Sequence, residues 1–155
     1  MKEKYMLAAI AESKRGMDNN EGGPFGAVIV KDGEIIGKGN NRVTSDNDPT
    51  AHAEVTAIRD ACKHLENFDL AGCEIYTSCE PCPMCLAAIY WARLDCIYYA
   101  NTKKDAADIK FDDDFFYQEL DKPIEKRNIP MKQMMRKEAL EVFTAWTNKV
   151  DKIPY

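Results

Sequence analysis

No apolar run in this 155-residue chain approaches the ~18–20 residues that a membrane-spanning helix requires, so a helical membrane protein is excluded. The N-terminal stretch, Met1-Lys2-Glu3-Lys4-Tyr5, lacks the apolar core of a secretion signal, and export is not expected. Basic charge is in deficit. With 21 Lys and Arg against 26 Asp and Glu, the net charge is −5 and the pI about 5.1, the reverse of a dedicated nucleic-acid binder. Internal repeats, low-complexity tracts and linkers are also missing, so residues 1–155 read as one domain, long enough to enclose a single core.

Apolar residues make up 45% and charged residues 30%, a globular composition. Six cysteines could close three disulfides, but two of them form a metal-like pair and a domain of this size folds without staples. The thiols are therefore read as reduced and the protein as cytoplasmic. Charge is unevenly spread. Residues 122–155 hold eight Lys and Arg against four Asp and Glu, which leaves that segment at +4 and the remainder at −9. A solvated helix, an electrostatic match to an acidic body or partner subunit, and a polyphosphate-binding tail all fit this asymmetry.

The first segment, 2–18, has Met6, Ile10 and Met17 near helical spacing with Ala9 on the same side, and predicts an amphipathic helix. Phe25 to Val30 predicts a buried strand, Asp32-Gly33 a tight hairpin turn and Glu34 to Gly39 the returning strand. A polar loop, Asn40 to Asp48, follows. From Ala51 the pattern is helical, with Val55, Ile58, Cys62 and Leu65 on one face flanked by Ala57 and Ala61. Residues 73–77 predict a strand, and 81–93 a helix apolar on nearly every side, hence buried. Residues 95–100 predict a further strand. This alternation implies a layered α/β domain whose later strands run parallel. Asn128 to Met134 reads as a last strand, at an edge because Pro130 interrupts it. Val142, Phe143, Trp146 and Val150 mark a C-terminal helix.

Two short stretches carry the chemistry: His52-Ala53-Glu54 and Pro81-Cys82-Pro83-Met84-Cys85. They supply one imidazole, two thiols and one carboxylate. His52, Cys82 and Cys85 make a three-ligand zinc set with an open fourth position, whereas a closed structural site uses four protein ligands. Pro81 suits the first turn of a helix, and Cys82 and Cys85 then share one face near its N-terminus, where free N–H groups and the helix dipole favour thiolates. Residues at i and i+2 of a regular helix point ~200° apart, so His52 and Glu54 can share a site only if they straddle a helix start. The helix-start chemistry of Asp48-Pro49-Thr50 permits that. Glu54, outside the ligand set, would then face a zinc-activated water and act as a proton carrier.

Other readings of these residues stay open. The Cys82/Cys85 pair alone fits a redox dithiol, and Cys79, evenly spaced with them, could complete a structural zinc site that leaves Glu54 without a role. Cys62, Cys73 and Cys96 lie on core faces, and His64 reads as a surface residue near a helix C-terminus.

The segments 22–28, 47–54 and 76–85 resemble the cytidine deaminase-like superfamily, whose nucleobase deaminases share the pattern H-x-E followed by P-C-x-x-C. Within it they look most like the small bacterial guanine deaminases, a likeness that continues through Tyr90-Trp91-Ala92-Arg93 and Phe111-Asp112-Asp113 to Tyr155. The resemblance implies a three-layer α/β/α sandwich around a mixed five-stranded sheet, with one zinc ion per subunit. It also implies hydrolysis of a free purine base, guanine to xanthine and ammonia by attack at C2. The implied assembly is a homodimer that exchanges the C-terminal segment, about 120–155. By position, Asn41 would bond the purine edge and Phe25 and Trp91 would wall the base. Asp113 would contact substrate and assist proton transfer, and Tyr155 would reach the partner's site. Taken without the resemblance, each also has a plainer reading that stays open: Asn41 as a turn residue, Phe25 and Trp91 as core, and Asp112 and Asp113 as solvated acids. Rival functions are a tRNA adenosine deaminase, a cytosine- or cytidine-type deaminase and a non-enzymatic zinc scaffold.

Overall fold

Asp32 and Gly33 both take positive φ, 51° and 85°, in a computed structural model that describes residues 2–155. A two-residue hairpin turn of this kind matches the twist of its flanking strands. It joins β1 (Gly26–Lys31) to β2 (Glu34–Asn40), with Lys31 opposite Glu34. β3 (Cys73–Cys79) pairs antiparallel with the other edge of β1, and β4 (Cys96–Asn101) runs parallel to β3. The sheet is mixed, in the order β2-β1-β3-β4.

It has four strands, not the five expected. Residues 128–134 join no ladder among the described residues. Pro130 has no N–H to donate, and alternating apolar residues make a strand only where a neighbour accepts the backbone.

Helices cover both faces. α1 (Glu3–Asp18) packs on the side of Val28, Val30 and Tyr76. Its buried stripe is Tyr5, Ala9 and Gly16, while Ile10 and Met17, expected inside, are exposed. The reason is distance: a Cβ on Gly26 would collide with the backbone of Ala9 and Ser13, so this helix lies too close to the sheet for large side chains between them. After a short α2 (Val43–Asp46) inside the expected polar loop, α3 (Ala53–Leu65) covers the opposite face, over Ala27, Ile29 and Ile75. Ala53, Ala57 and Ala61 form the centre of its contact, and Ile58, Cys62 and Leu65 its flank, the reverse of the expected arrangement.

α4 (Pro83–Trp91) adds Ile89 to the same core. Its apolar circumference predicts burial all round, yet only one stripe is covered, and Met84, Tyr90 and Trp91 are exposed. Beyond β4 come α5 (Lys103–Asp108), started by a Thr102/Asp105 capping box, and α6 (Asp114–Asp121). A 3-10 turn (Ile124–Lys126) and α7 (Arg136–Asn148) follow. The chain divides into two units, one ending at Asp114 and one running from Phe115 to Tyr155. No side chain of residues 115–155 is fully buried, and α7 exposes Val142, Phe143 and Trp146.

Candidate active site

Two helix starts build the centre. His52 is the N-cap of α3, with extended backbone (φ −70°, ψ 157°), and Glu54 lies in that helix's first turn. The extended cap removes the ~200° separation that a regular helix would impose on positions i and i+2. Cys82 caps α4 in the same way (φ −67°, ψ 168°), and Cys85 follows one turn on. The proline in the first turn is Pro83 rather than Pro81, a shift of two residues that leaves both thiols at the helix N-terminus.

His52 Nδ1 stands 3.5 Å from Cys82 Sγ and 3.4 Å from Cys85 Sγ, and the three ligand atoms lie within 4.8 Å of one another. Tetrahedral zinc, with Zn–S about 2.3 Å and Zn–N about 2.0–2.1 Å, sets nitrogen and sulfur about 3.5 Å apart. The donor set therefore fits zinc in type, number and spacing. Cys79 is not in this group; its thiol donates to the Thr102 carbonyl at 3.6 Å, and burial pushes it up to about 11.

Charge within the group is arranged for metal uptake. A hydrogen bond from Cys85, aided by His52, holds the Cys82 thiol down at about 4, so it is a thiolate at neutral pH. Cys85 is pushed up, by serving that thiolate and by burial, and keeps its proton. His52 is raised, chiefly by its bond to Cys82. Glu54, only 6% exposed, accepts from Cys85 Sγ at 3.4 Å, and burial raises its carboxyl above the ordinary range. A carboxyl so raised holds its proton more readily than an exposed one, which suits a general acid–base.

The residues around this centre divide sharply. Asn41 is buried, and its Oδ1 accepts from Gly23 N (3.3 Å) and Val43 N (3.2 Å). It is thus a turn residue through its oxygen, with the Nδ2 donor as the part of the amide that can address a ligand. Phe25 is half-buried and meets Phe111 edge-on, with ring centroids 4.9 Å apart. Asp113 is half-buried, and its carboxyl is raised first by desolvation and next by the Cys82 charge, which puts it within electrostatic reach of the ligands. Asp112 instead accepts from Asp114 N at 3.0 Å, in a turn before α6.

Trp91 is not gathered to the centre. It ends α4 about 9 Å of helix rise beyond Cys85 and is 69% exposed. Tyr155 is an exposed residue of the second unit. His64 is exposed in the last turn of α3. All six cysteines are free, and burial raises the Cys62 and Cys73 thiols, which disfavours their thiolates.

Two supporting residues escaped the sequence reading. Glu80 accepts from Lys103 N at 3.0 Å, and its own N–H donates to Asn101 O, tying the start of α5 to the metal loop. Ser78 Oγ accepts from Gly26 N at 3.0 Å and closes the strand ends beneath the site. Their signal was position: polar residues directly before a metal motif, at the end of a buried strand.

The pattern of the cytidine and deoxycytidylate deaminase zinc-binding region matches residues 1–101. Guanine deaminase of Bacillus subtilis is 55% identical over 153 residues, 99% of this chain and 98% of its own length. The crystal structure of that enzyme superposes with a TM-score of 0.96 over 99% of this chain and 98% of its own. The tRNA-specific adenosine deaminase of Aquifex aeolicus is 44% identical over 103 residues, 66% of this chain and 68% of its own length.

Proposed function

The chain belongs to the cytidine and deoxycytidylate deaminase zinc-binding family, and on that premise we propose that it hydrolyses guanine, taking guanine and water to xanthine and ammonia. The observation that carries the reaction type is the buried Glu54 carboxylate held against, but outside, a three-residue zinc ligand set. The choice of guanine rests on 55% identity to the Bacillus enzyme along almost the whole chain, whereas tRNA adenosine deaminases match at 44% over two thirds of the chain or at 33% over 90% of it.

His52, Cys82 and Cys85 would hold the zinc ion. When bound, the ion supplies Lewis acidity that brings the pKa of a water toward ~7. Glu54 would take a proton from the attacking water and pass it to a ring nitrogen of guanine as the oxygen bonds to C2. Glu54 then takes the second proton, from the new C2 hydroxyl, and delivers it to the exocyclic amine, assisted by Asp113, so that the C–N bond breaks, ammonia leaves and the C2 carbonyl of xanthine remains. The raised carboxyls of Glu54 and Asp113 suit groups that must both hold and yield protons. Asn41 offers Nδ2 to an acceptor on the purine edge, because its oxygen is committed to two backbone N–H groups. Guanine has acceptors at O6 and N7, whereas adenine replaces the first by an amino donor. Phe25, backed by Phe111, stacks on the base.

The active form is a homodimer in which the C-terminal segment, about 120–155, crosses to the partner and brings Tyr155 to its pocket, with Trp91 lining the same shared region. Support comes from the exposed apolar residues of α4 and α7, the absence of any fully buried side chain in 115–155, and the +4 charge of 122–155 against an acidic remainder. No helix among the described residues is long and apolar enough to cross a membrane. Free thiols in the ligand set suit a reducing compartment, the cytoplasm.

The test is ammonia release from guanine, cytosine, adenine and a tRNA anticodon stem-loop. Turnover confined to guanine supports the proposal. Preferential deamination of the stem-loop would assign the chain to the adenosine-editing branch, and preferential turnover of cytosine to a pyrimidine branch. No turnover by zinc-loaded protein would leave a zinc scaffold.

A further inference from the structure

Resting on the reading of Asn41 as a contact to the base, we infer that Glu21 is a positioning residue for substrate recognition: it grips the chain on both sides of Asn41 and so aims that amide, without touching the substrate. Asn40, the last residue of β2, is buried and turns toward the end of α1, where its amide fills the space a side chain at Gly16 would need. Its Nδ2 donates to Glu21 Oε2 at 2.8 Å and to the Asn41 carbonyl at 3.1 Å, and its Oδ1 accepts from Arg15 at 2.9 Å. On the other side of Asn41, Arg42 Nη1 donates to the same Glu21 Oε2 at 3.2 Å. The Glu21 carbonyl then accepts from Ser45 N (3.2 Å) and Thr44 Oγ1 (3.3 Å), while its N–H donates to Gly16 O at 2.9 Å and anchors it to α1.

The chain after Glu21 completes the grip. A Cβ on Gly22 would collide with the carbonyl and Oδ1 of Asn41, and the next N–H, of Gly23, donates to that Oδ1. Residues 21–23 therefore wrap Asn41 directly. Glu21 alone among them carries a charge, which makes its bonds to Asn40 and Arg42 the stronger kind. Bonds from Asn40, Arg15 and Arg42 also hold its carboxyl below the usual range, so it stays ionised at neutral pH. A contact to the far edge of the base acts alike on ground and transition states. Loosening it raises KM and leaves kcat in place.

The test compares Glu21→Ala, Glu21→Gln, Asn41→Ala and the Glu21→Ala/Asn41→Ala pair in the full-length, zinc-loaded protein. Glu21→Ala is expected to raise KM for guanine on the order of tenfold, with kcat within about twofold and zinc content unchanged. Glu21→Gln keeps an acceptor oxygen for Asn40 and Arg42 and is expected to return KM to within about threefold of the parent. In the Asn41→Ala background, Glu21→Ala is expected to add less than about twofold, since its effect runs through that amide. Loss of zinc, a matching fall in kcat and kcat/KM, or multiplying effects in the double variant would overturn the positioning role in favour of general support. If Asn41→Ala raises KM and Glu21→Ala does not, the inference alone fails. If Asn41→Ala leaves KM unchanged, the base-contact reading fails and takes the inference with it. Should Glu21→Ala not fold, Arg42→Ala breaks the second grip and faces the same criteria.

Discussion

Cys85 Sγ donates to Glu54 Oε2 across 3.4 Å, so a buried carboxylate at the start of α3 is pressed against a ligand thiol at the start of α4 without joining the ligand set. With zinc held, Cys85 would be a thiolate with no proton to give, and Glu54 would be free to take one from water. Glu54→Gln keeps the shape of the side chain and removes its ability to carry the proton. Zinc content is expected to stay near one per chain while kcat falls about 10²–10⁴-fold. Metal analysis beside steady-state kinetics checks this, and turnover that survives with zinc bound would strip Glu54 of its role.

Zinc uptake should strengthen as pH rises. Above about pH 4 Cys82 is already a thiolate and contributes little to the pH dependence. Cys85 and His52 are both raised, so their protonated forms persist to higher pH and must lose protons to bind. Binding is expected to release up to about two protons at acid pH, one each from Cys85 and His52, falling toward about one as the pH rises and His52 loses its own. Calorimetry in buffers of different ionisation enthalpy counts them. Affinity that is flat or falls with pH would contradict the proton inventory.

The helix that carries His52 and Glu54 is set by glycine on the strand beneath it. A Cβ on Gly39 would strike the backbone of Ala53 and Ala57, the first turns of α3. Gly39→Ala is expected to destabilise the protein by about 1–3 kcal/mol and to weaken zinc binding, because relief of the clash moves the helix start. Urea unfolding of the metal-free protein and a zinc titration measure the two effects separately. Unchanged values in both would mean that the contact relaxes without moving α3.

The proposed exchange of the C-terminal segment makes a complementation prediction. Deleting 152–155 removes Tyr155 and is expected to impair turnover, as Glu54→Gln is. Mixed dimers of the two are expected to recover activity, because one of the two sites then combines an intact Glu54 with an intact partner tail. Subunit mixing is verified with differently tagged chains. Verified heterodimers that stay inactive would argue against exchange.

The chemistry was legible because it depends on local geometry. His52 and Glu54, two apart, can converge only at a helix start, while Cys82 and Cys85, three apart, share a helix face, and both pairs are found at helix starts. The hairpin at Asp32-Gly33 and the parallel β3/β4 pair follow from equally local signals. What sequence periodicity misread was decided by distance between layers. Gly26 and Gly39 draw their helices so close to the sheet that Ala9 and Ala57 occupy the contact and Ile10 points outward. Residues 128–134 have strand-like alternation, but a strand exists only through its neighbour, and no alternation encodes one. Asn41 takes its turn reading through its oxygen, and contact of its nitrogen with the base belongs to the proposal.

The central claim is most directly tested by following the conversion of guanine to xanthine by ultraviolet absorbance on protein of measured zinc content. Xanthine and ammonia are expected in equal amounts at one zinc per chain, with activity lost on chelation and restored by added zinc. No xanthine from fully zinc-loaded protein, or undiminished turnover after the metal is removed, would contradict it.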